Sequence, residues 1–274
     1  MQGDRFPTTL TSFMRTLVAQ RELVAELVRS DIAGRYRGSM LGLLWSFASP
    51  LLLLAAFTFV FGTVLKTRWG GAVTTQGDFA LVLFPGILLH ALLAESFNRA
   101  PVIVTAVPNY VKKVVFPLEL LPLVAVVTSG FHALIGFGVL AAALVLAHGM
   151  LPLTAVAVPV VVAPYLVLIL GVTWFLAALG VYLRDIAQVI GLVTMLLMFL
   201  SPVFYPASAL PESYRGWLAV NPLTLPLEAT RGALIWGKWP DWSALGVYAI
   251  IAIAVAGAGY WWFQKSRKGF ADVL

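Results

Sequence analysis

The sequence predicts an all-α integral membrane protein. Six helices cross the bilayer, an amphipathic helix precedes them, and re-entrant helices lie on the outer side between the fifth and sixth spans. Three observations carry this. The 274 residues are 61% hydrophobic and only 11% charged, against about 45–50% and roughly 25% in soluble globular domains. Six apolar runs are long enough for the roughly 20-residue helix that crosses a hydrocarbon core. The basic residues then sort unequally between the segments joining those runs.

The runs are residues 41–65, 79–97, 118–147, 151–183, 186–204 and 243–263 of a single transmembrane domain, 1–274. None alternates polar and apolar residues as the strands of a membrane barrel do. Pro159 and Pro164 predict a kink in the fourth. Six spans put both ends on one side, and thirteen of the 18 Lys and Arg residues then fall there. The other side keeps Lys66, Arg68, Arg215, Arg231 and Lys238. By the positive-inside rule both termini are cytoplasmic. The first 30 residues lack an apolar stretch followed by a small-residue cleavage site, so no signal peptide is expected.

Residues 1–40 form a basic segment before the first span. Leu10, Phe13, Met14, Leu17, Val18, Val24, Leu27 and Val28 fall mostly on one helical face, with Arg15, Glu22, Glu26 and Arg29 opposite. That suits a helix lying in the headgroup plane, either as an anchor or as a docking element. Arg21 is out of place on the apolar face. Arg35, Tyr36 and Arg37 mark the turn into the first span, with the arginines at the depth of lipid phosphates. Gly34, Gly38 and Gly42 recur every fourth residue, spaced either for a close helix approach or for a plain stop at the interface; spacing alone favours the stop.

Residues 98–117 are too long for a tight turn and leave room for a short helix on the cytoplasmic side. Residues 205–242, on the other side, carry five prolines. Trp217, Leu218, Leu225, Leu227, Leu234, Ile235 and Trp236 nevertheless make the stretch too apolar for a solvated loop. Two short helices dipping into the outer leaflet fit it, since non-helical backbone at that depth must be shielded by protein.

Reactive chemistry is scarce. The chain has no cysteine, which excludes disulfides and thiolate chemistry. His90, Glu95, Glu119 and His132 are the ionisable residues in or near the spans, and none stands at metal-ligand spacing with another. Glu95 precedes Arg99 by four residues and is expected to pair with it along one helix. Glu119 is expected to pair with nearby Lys112 and Lys113. The histidines read as packing or polar-lining residues. The run from Gly232 to Lys238 has the glycine and lysine spacing of a phosphate-binding loop, but Trp239 replaces the hydroxyl residue that would hold magnesium. No cofactor is expected in this chain. Aromatic residues are abundant; most suit packing or the interfacial belt. Trp45, Phe57, Phe61, Phe199, Phe204 and Tyr205 are candidates to line a substrate channel.

Several stretches together resemble one family. They are Asp31 to Pro50, Lys112 to Pro122, Leu210 to Tyr214, Asn221 to Thr224, Glu228 to Arg231 and Phe270 to Leu274. In this order they are similar to the membrane subunits of ATP-binding-cassette (ABC) exporters of polysaccharide and polyol phosphate. O-antigen exporter permeases are the nearest type, with capsule and teichoic-acid exporters related. The resemblance implies a type-2 ABC exporter fold in the bacterial inner membrane, serving lipopolysaccharide biosynthesis. It further implies a homodimer around a central channel, bound to two copies of a separate ATPase that holds ATP and magnesium, with a lipid-linked glycan as cargo and no nucleic acid. Arg35, Tyr36 and Arg37 would belong to an interface helix, and Arg99, Pro108, Asn109, Tyr110, Lys112 and Lys113 to a coupling loop on the ATPase. Exporters of a drug or small lipid are the competing reading. A membrane-embedded transferase or hydrolase would need an acid, base or metal cluster that the sequence does not supply.

Overall fold

In a computed structural model describing residues 8–64, 78–109 and 116–274, every regular element is helical among the described residues. Five helical stretches are long and apolar enough to cross a membrane: Gly42–Phe61, Phe79–Ile103, Leu120–His148, Leu153–Tyr182 and Trp242–Val273. A sixth, Ile186–Leu200, has 15 residues. At 1.5 Å per residue it is about 22 Å long, short of the roughly 30 Å of a hydrocarbon core.

The expected amphipathic helix is two helices. α1 (Leu10–Ala19) ends at Gln20, and α2 (Arg21–Tyr36) starts again in a new phase. The break explains why Arg21 spoils a single continuous face. Phe13 of α1 is buried against Trp174 and Tyr260, with ring centroids 4.8 and 5.5 Å away. After α2 the chain turns at Gly38 and Gly42, whose φ angles are +83° and +50°. Among the described residues, none lies within 4 Å of a Cβ placed at Gly34, Gly38 or Gly42. Two of these glycines serve a turn, then, and none admits a second helix among the described residues.

α3 (Trp45–Phe57) follows a short 3-10 turn, Gly42–Leu44, and runs into a π-helical stretch, Thr58–Val64. α4 (Asp78–Ile103) is the centre of the molecule. Its apolar window is 83% buried, against 6% for the stretch containing α3. A helix apolar on every side belongs inside, and α4 is walled by α5 (Leu120–His148), α6 (Val158–Tyr182), α7 (Ile186–Leu200) and α9 (Thr224–Ile235). It also reaches Ile103, six residues beyond the expected end of the second span. α5 stops at Gly149, left-handed at φ +80°, a common helix terminator. Pro159 lies in the first turn of α6, where its missing N–H has no bond to break; only Pro164 is internal.

α6 and α10 (Trp242–Ser266) pack most extensively. At their crossing an added Cβ on Gly171 would lie 2.6 Å from the Ala256 backbone, and one on Gly259 would overlap the Gly171 carbonyl. Backbone-to-backbone contact of this kind replaces the hydrophobic effect, which does not drive helices together in lipid. The end of α10 and the closing helix α11 (Phe270–Val273) fold back on α6: Phe270 is buried beside Tyr182, and Arg267 pairs with Glu119 at 2.7 Å. α1 and the C-terminal segment thus lie at one end of the bundle, the terminal face.

At the opposite face α7 ends at Leu200, four residues before the expected end of the fifth span. Ser201 is extended (φ −92°, ψ 151°), as residues preceding a proline tend to be, and Pro202 follows. Two short helices, α8 (Glu212–Val220) and α9, then fill the interval before α10. Asp241 caps α10, accepting from the amides of Ser243 and Ala244 at 3.0 and 3.1 Å.

Candidate functional site

Three groups of side chains stand out. The first is an aromatic row where the far end of α3 meets the end of α7. Phe57 and Phe61, one turn apart, stack at 5.6 Å with 14° between their planes. Phe57 touches Phe204, which touches Phe199; Phe61 touches Phe79 at the start of α4. The Tyr205 hydroxyl donates to the Phe199 carbonyl at 3.3 Å. Five of the six aromatic candidates therefore come together. Trp45 does not; it lies at the opposite end of α3, exposed. Phe79 completes the row and escaped notice because it opens an ordinary apolar run. Around the row, α3, the π-helical stretch after it and α7 leave Leu51, Leu52, Phe59, Leu192, Leu196 and Leu200 exposed. Large apolar side chains exposed in this number suit lipid or another protein surface.

The second group is polar and lies where α2 meets α4 and α5. Arg99 donates to Asp31 at 2.7 Å, so the expected Glu95–Arg99 pairing is replaced by one between helices. Glu95 instead takes Arg35, at 2.6 Å, with His132 beside both. Burial raises the Asp31 pKa, but the bonds from Arg99 and Thr128 and the charges of Arg99 and Arg35 bring it below the usual aspartate value. Tyr36 sets its ring edge to face against His132 at 6.1 Å. Arg35 is therefore paired within the fold rather than left for lipid phosphates, whereas Arg37 remains exposed at the end of α2. Arg99 lies on α4 and not in a loop. Pro108 and Asn109 are exposed beyond its end, while Tyr110, Lys112 and Lys113 fall outside the described residues. Glu119, expected to meet those lysines, is held by Arg267.

The third group closes the break after α7. Arg231 is completely buried. It donates to the carbonyls of Val82 (2.8 Å), Pro202 (3.1 Å) and Val203 (3.1 Å) and to Glu228 (2.7 Å). Carbonyls freed where a helix stops inside a membrane must find donors within the protein. One guanidinium serves both the segment just after α7 and the N-terminal part of α4. By sequence Arg231 is an outer-side charge within the Glu228–Arg231 stretch that carries the resemblance; the spacing of three from Glu228 is the available sign that it is paired. Glu228 also lines a cleft of ≈ 1190 Å³ between α8, α9 and α10, beside Trp236, Lys238 and Tyr248.

A second polar seam ties α7 to α4. The His90 ring bonds the Thr194 carbonyl at 2.8 Å, and Asn98 bonds the Thr194 hydroxyl at 3.3 Å. His90 is thus committed to structure, as its isolation in the sequence suggests.

Comparison with known proteins adds a family. The model of the ABC-2 type transporter family matches residues 22–235, more than three quarters of the chain. The chain is 29% identical over 264 residues to the O-antigen export system permease protein RfbA of Myxococcus xanthus, covering 95% of this chain and 98% of that one. A protein of the same name from Klebsiella pneumoniae is 25% identical over 255 residues, 92% of this chain and 95% of that one.

Proposed function

The chain belongs to the ABC-2 type transporter family, and from that membership we propose that it is the membrane subunit of an exporter moving a lipid-linked polysaccharide of the O-antigen class across the bacterial inner membrane. It is a transporter subunit and not an enzyme in its own right. ATP, with magnesium, is hydrolysed in a separate ATPase, two copies of which serve a homodimer of this chain. The spans number six, α7 being the short one, and both termini are cytoplasmic. α8 and α9 are the re-entrant pair at the outer mouth.

The observation that carries this reading is the contrast between α4 and α3. A helix buried only to 6% along its apolar length, on the edge of a bundle organised around another helix, is suited to face a second copy and the conduit between the two. The row from Phe79 to Phe199 would line the outer part of that conduit. Aromatic faces stack on sugar rings without demanding one sugar, which suits the passage of a polymer. Arg99, Pro108 and Asn109 are at or near the terminal face, where an ATPase would bear on α2 and on the loop after α4; Tyr110, Lys112 and Lys113 extend the proposed contact.

Deleting the gene should leave lipid-linked polysaccharide inside the cytoplasmic membrane and remove it from the cell surface. Co-expression of this chain with its ATPase should restore export and yield a purified complex that hydrolyses ATP. Export by the chain alone, or normal surface polysaccharide in the deletion strain, would refute the assignment. Restoration of drug or short-lipid efflux without polysaccharide export would favour a small-cargo exporter.

A further inference from the structure

We propose that the cleft between α8, α9 and α10 holds one zwitterionic phospholipid of the leaflet opposite the chain termini, its phosphate on Lys238 and its ammonium group on Glu228. The cleft measures ≈ 1190 Å³, somewhat above the roughly 300–1,000 Å³ usual for small-molecule sites. α10 lines it with Ala244, Val247, Tyr248 and Ile251, one helical face in steps of three and four. From Trp242, the first residue of α10, to Ile251 is about 13 Å, close to half of a roughly 30 Å hydrocarbon core. α9 supplies the facing wall with Leu225, Glu228 and Gly232. The Tyr248 hydroxyl joins the walls, donating to the Pro222 carbonyl between α8 and α9 at 2.8 Å.

Polarity changes along that depth as it does along a lipid. Lys238, Trp239 and Asp241 stand at the mouth, where the rings of Trp239 and Trp242 are 6.3 Å apart, suited to the headgroup belt. Deeper in, the walls are Leu168, Val247 and Ile251. Val247 and Ile251 are 58% and 51% exposed, so the cleft opens sideways onto acyl chains as well as towards water. Charge then selects the headgroup. The Lys238 side chain is exposed and makes no hydrogen bond or ion pair among the described residues. Its place is set by the backbone: Gly237 is left-handed (φ +60°), and the Lys238 amide donates to the Gly232 carbonyl at 3.0 Å. Glu228 gives Oε1 to Arg231 at 2.7 Å, which leaves Oε2 to accept from a donor in the cleft. A lysine and carboxylates in one apolar cleft complement a zwitterion; an anionic headgroup would satisfy the lysine but be repelled by Glu228 and Asp241. A soluble sugar would leave the apolar depth unfilled. The cleft is separate from the aromatic row, and its lipid is independent of the cargo assigned above.

Native mass spectrometry of the purified full chain in detergent counts the lipids it retains. The probes are dioleoyl phosphatidylethanolamine, phosphatidylglycerol and diacylglycerol with the same chains, and maltohexaose as a soluble sugar. One phosphatidylethanolamine per chain should survive at collision energies that strip the other three. Lys238→Gln alters an exposed side chain and should lower that retention several-fold, whereas Lys238→Arg keeps the charge and should preserve it. Ala244→Trp fills the groove and should abolish retention, with helical circular dichroism unchanged. Equal retention of the three lipids would mean that lipid merely surrounds the protein, and would overturn the proposal. So would preference for phosphatidylglycerol or maltohexaose, or undiminished phosphatidylethanolamine on Lys238→Gln.

Discussion

Arg231 reaches Val82 across 149 residues of sequence, its Nε 2.8 Å from the Val82 carbonyl, with the side chain wholly enclosed. The same guanidinium holds the carbonyls of Pro202 and Val203 and the carboxylate of Glu228. One residue thus fastens the start of α4, the break after α7 and α9. Arg231→Leu leaves those acceptors without their donor and should cost about 3–5 kcal/mol, the range for breaking a buried ion pair by removing one partner. Thermal unfolding in detergent would read this as a lowered midpoint. Glu228→Gln keeps an acceptor for Arg231 and should cost much less.

The α6–α10 crossing gives an internally controlled pair of substitutions. Gly259→Ala places a methyl group on the Gly171 carbonyl and should destabilise by about 1–3 kcal/mol through overpacking. Gly246→Ala, on the same helix but with nothing within 4 Å of the new carbon, should be neutral or stabilise by up to about 1 kcal/mol from helix propensity. Equal effects in the unfolding midpoint would rule out the close contact as the cause.

Asp31 and Arg99 should show a coupling of about 1 kcal/mol in a double-mutant cycle of Asp31→Asn and Arg99→Gln, since both side chains remain partly exposed. The folded state lowers the Asp31 pKa, so the pair's contribution is whole above the ordinary aspartate value near 4. It is lost as pH falls through the lower, folded value. Stability of the Asp31→Asn variant relative to wild type, followed from neutral to acid pH, should therefore converge at the acid end.

Phe57→Ala combined with Phe61→Ala removes the stacked pair at the centre of the aromatic row. Surface polysaccharide should fall several-fold while the complex assembles and hydrolyses ATP. Leucine at both positions restores bulk without a flat face, so export should recover only if the rings act as apolar walls rather than as stacking platforms.

Much of the fold was legible because lipid punishes a polar residue in the wrong place. The apolar runs coincide with the five long helices and, in shortened form, with α7. Where the reading failed, the cause was a tertiary partner or a local backbone rule. The spacing of Glu95 and Arg99 fits a pairing within one helix, but α2 brings Arg35 and Asp31 from 60 and 68 residues away, and each carboxylate takes an arginine from the facing helix. The end of α7 was written in Pro202, whose effect on Ser201 stops the helix inside an unbroken apolar run. Arg21 marked the division between α1 and α2. Phe57, Phe61, Phe199, Phe204 and Tyr205 were recognisable as aromatic, yet only folding shows that they touch each other and that Trp45 does not. Arg231 was the hardest to see, because Val82, Pro202 and Val203 bind it through main-chain carbonyls, which carry no signature in a sequence.

The bonds of Arg231 also set an order on biogenesis. Val82 is synthesised long before Arg231, and α4 enters the bilayer before most of the helices that enclose it exist. Until α9 emerges, the Val82, Pro202 and Val203 carbonyls lack the donor that finally binds them. Until α9 is in place the interior of the bundle thus holds acceptors that only the finished fold pairs, which disfavours its closure. The donor that completes the centre of the bundle is one of the later residues to join it, 149 positions after Val82.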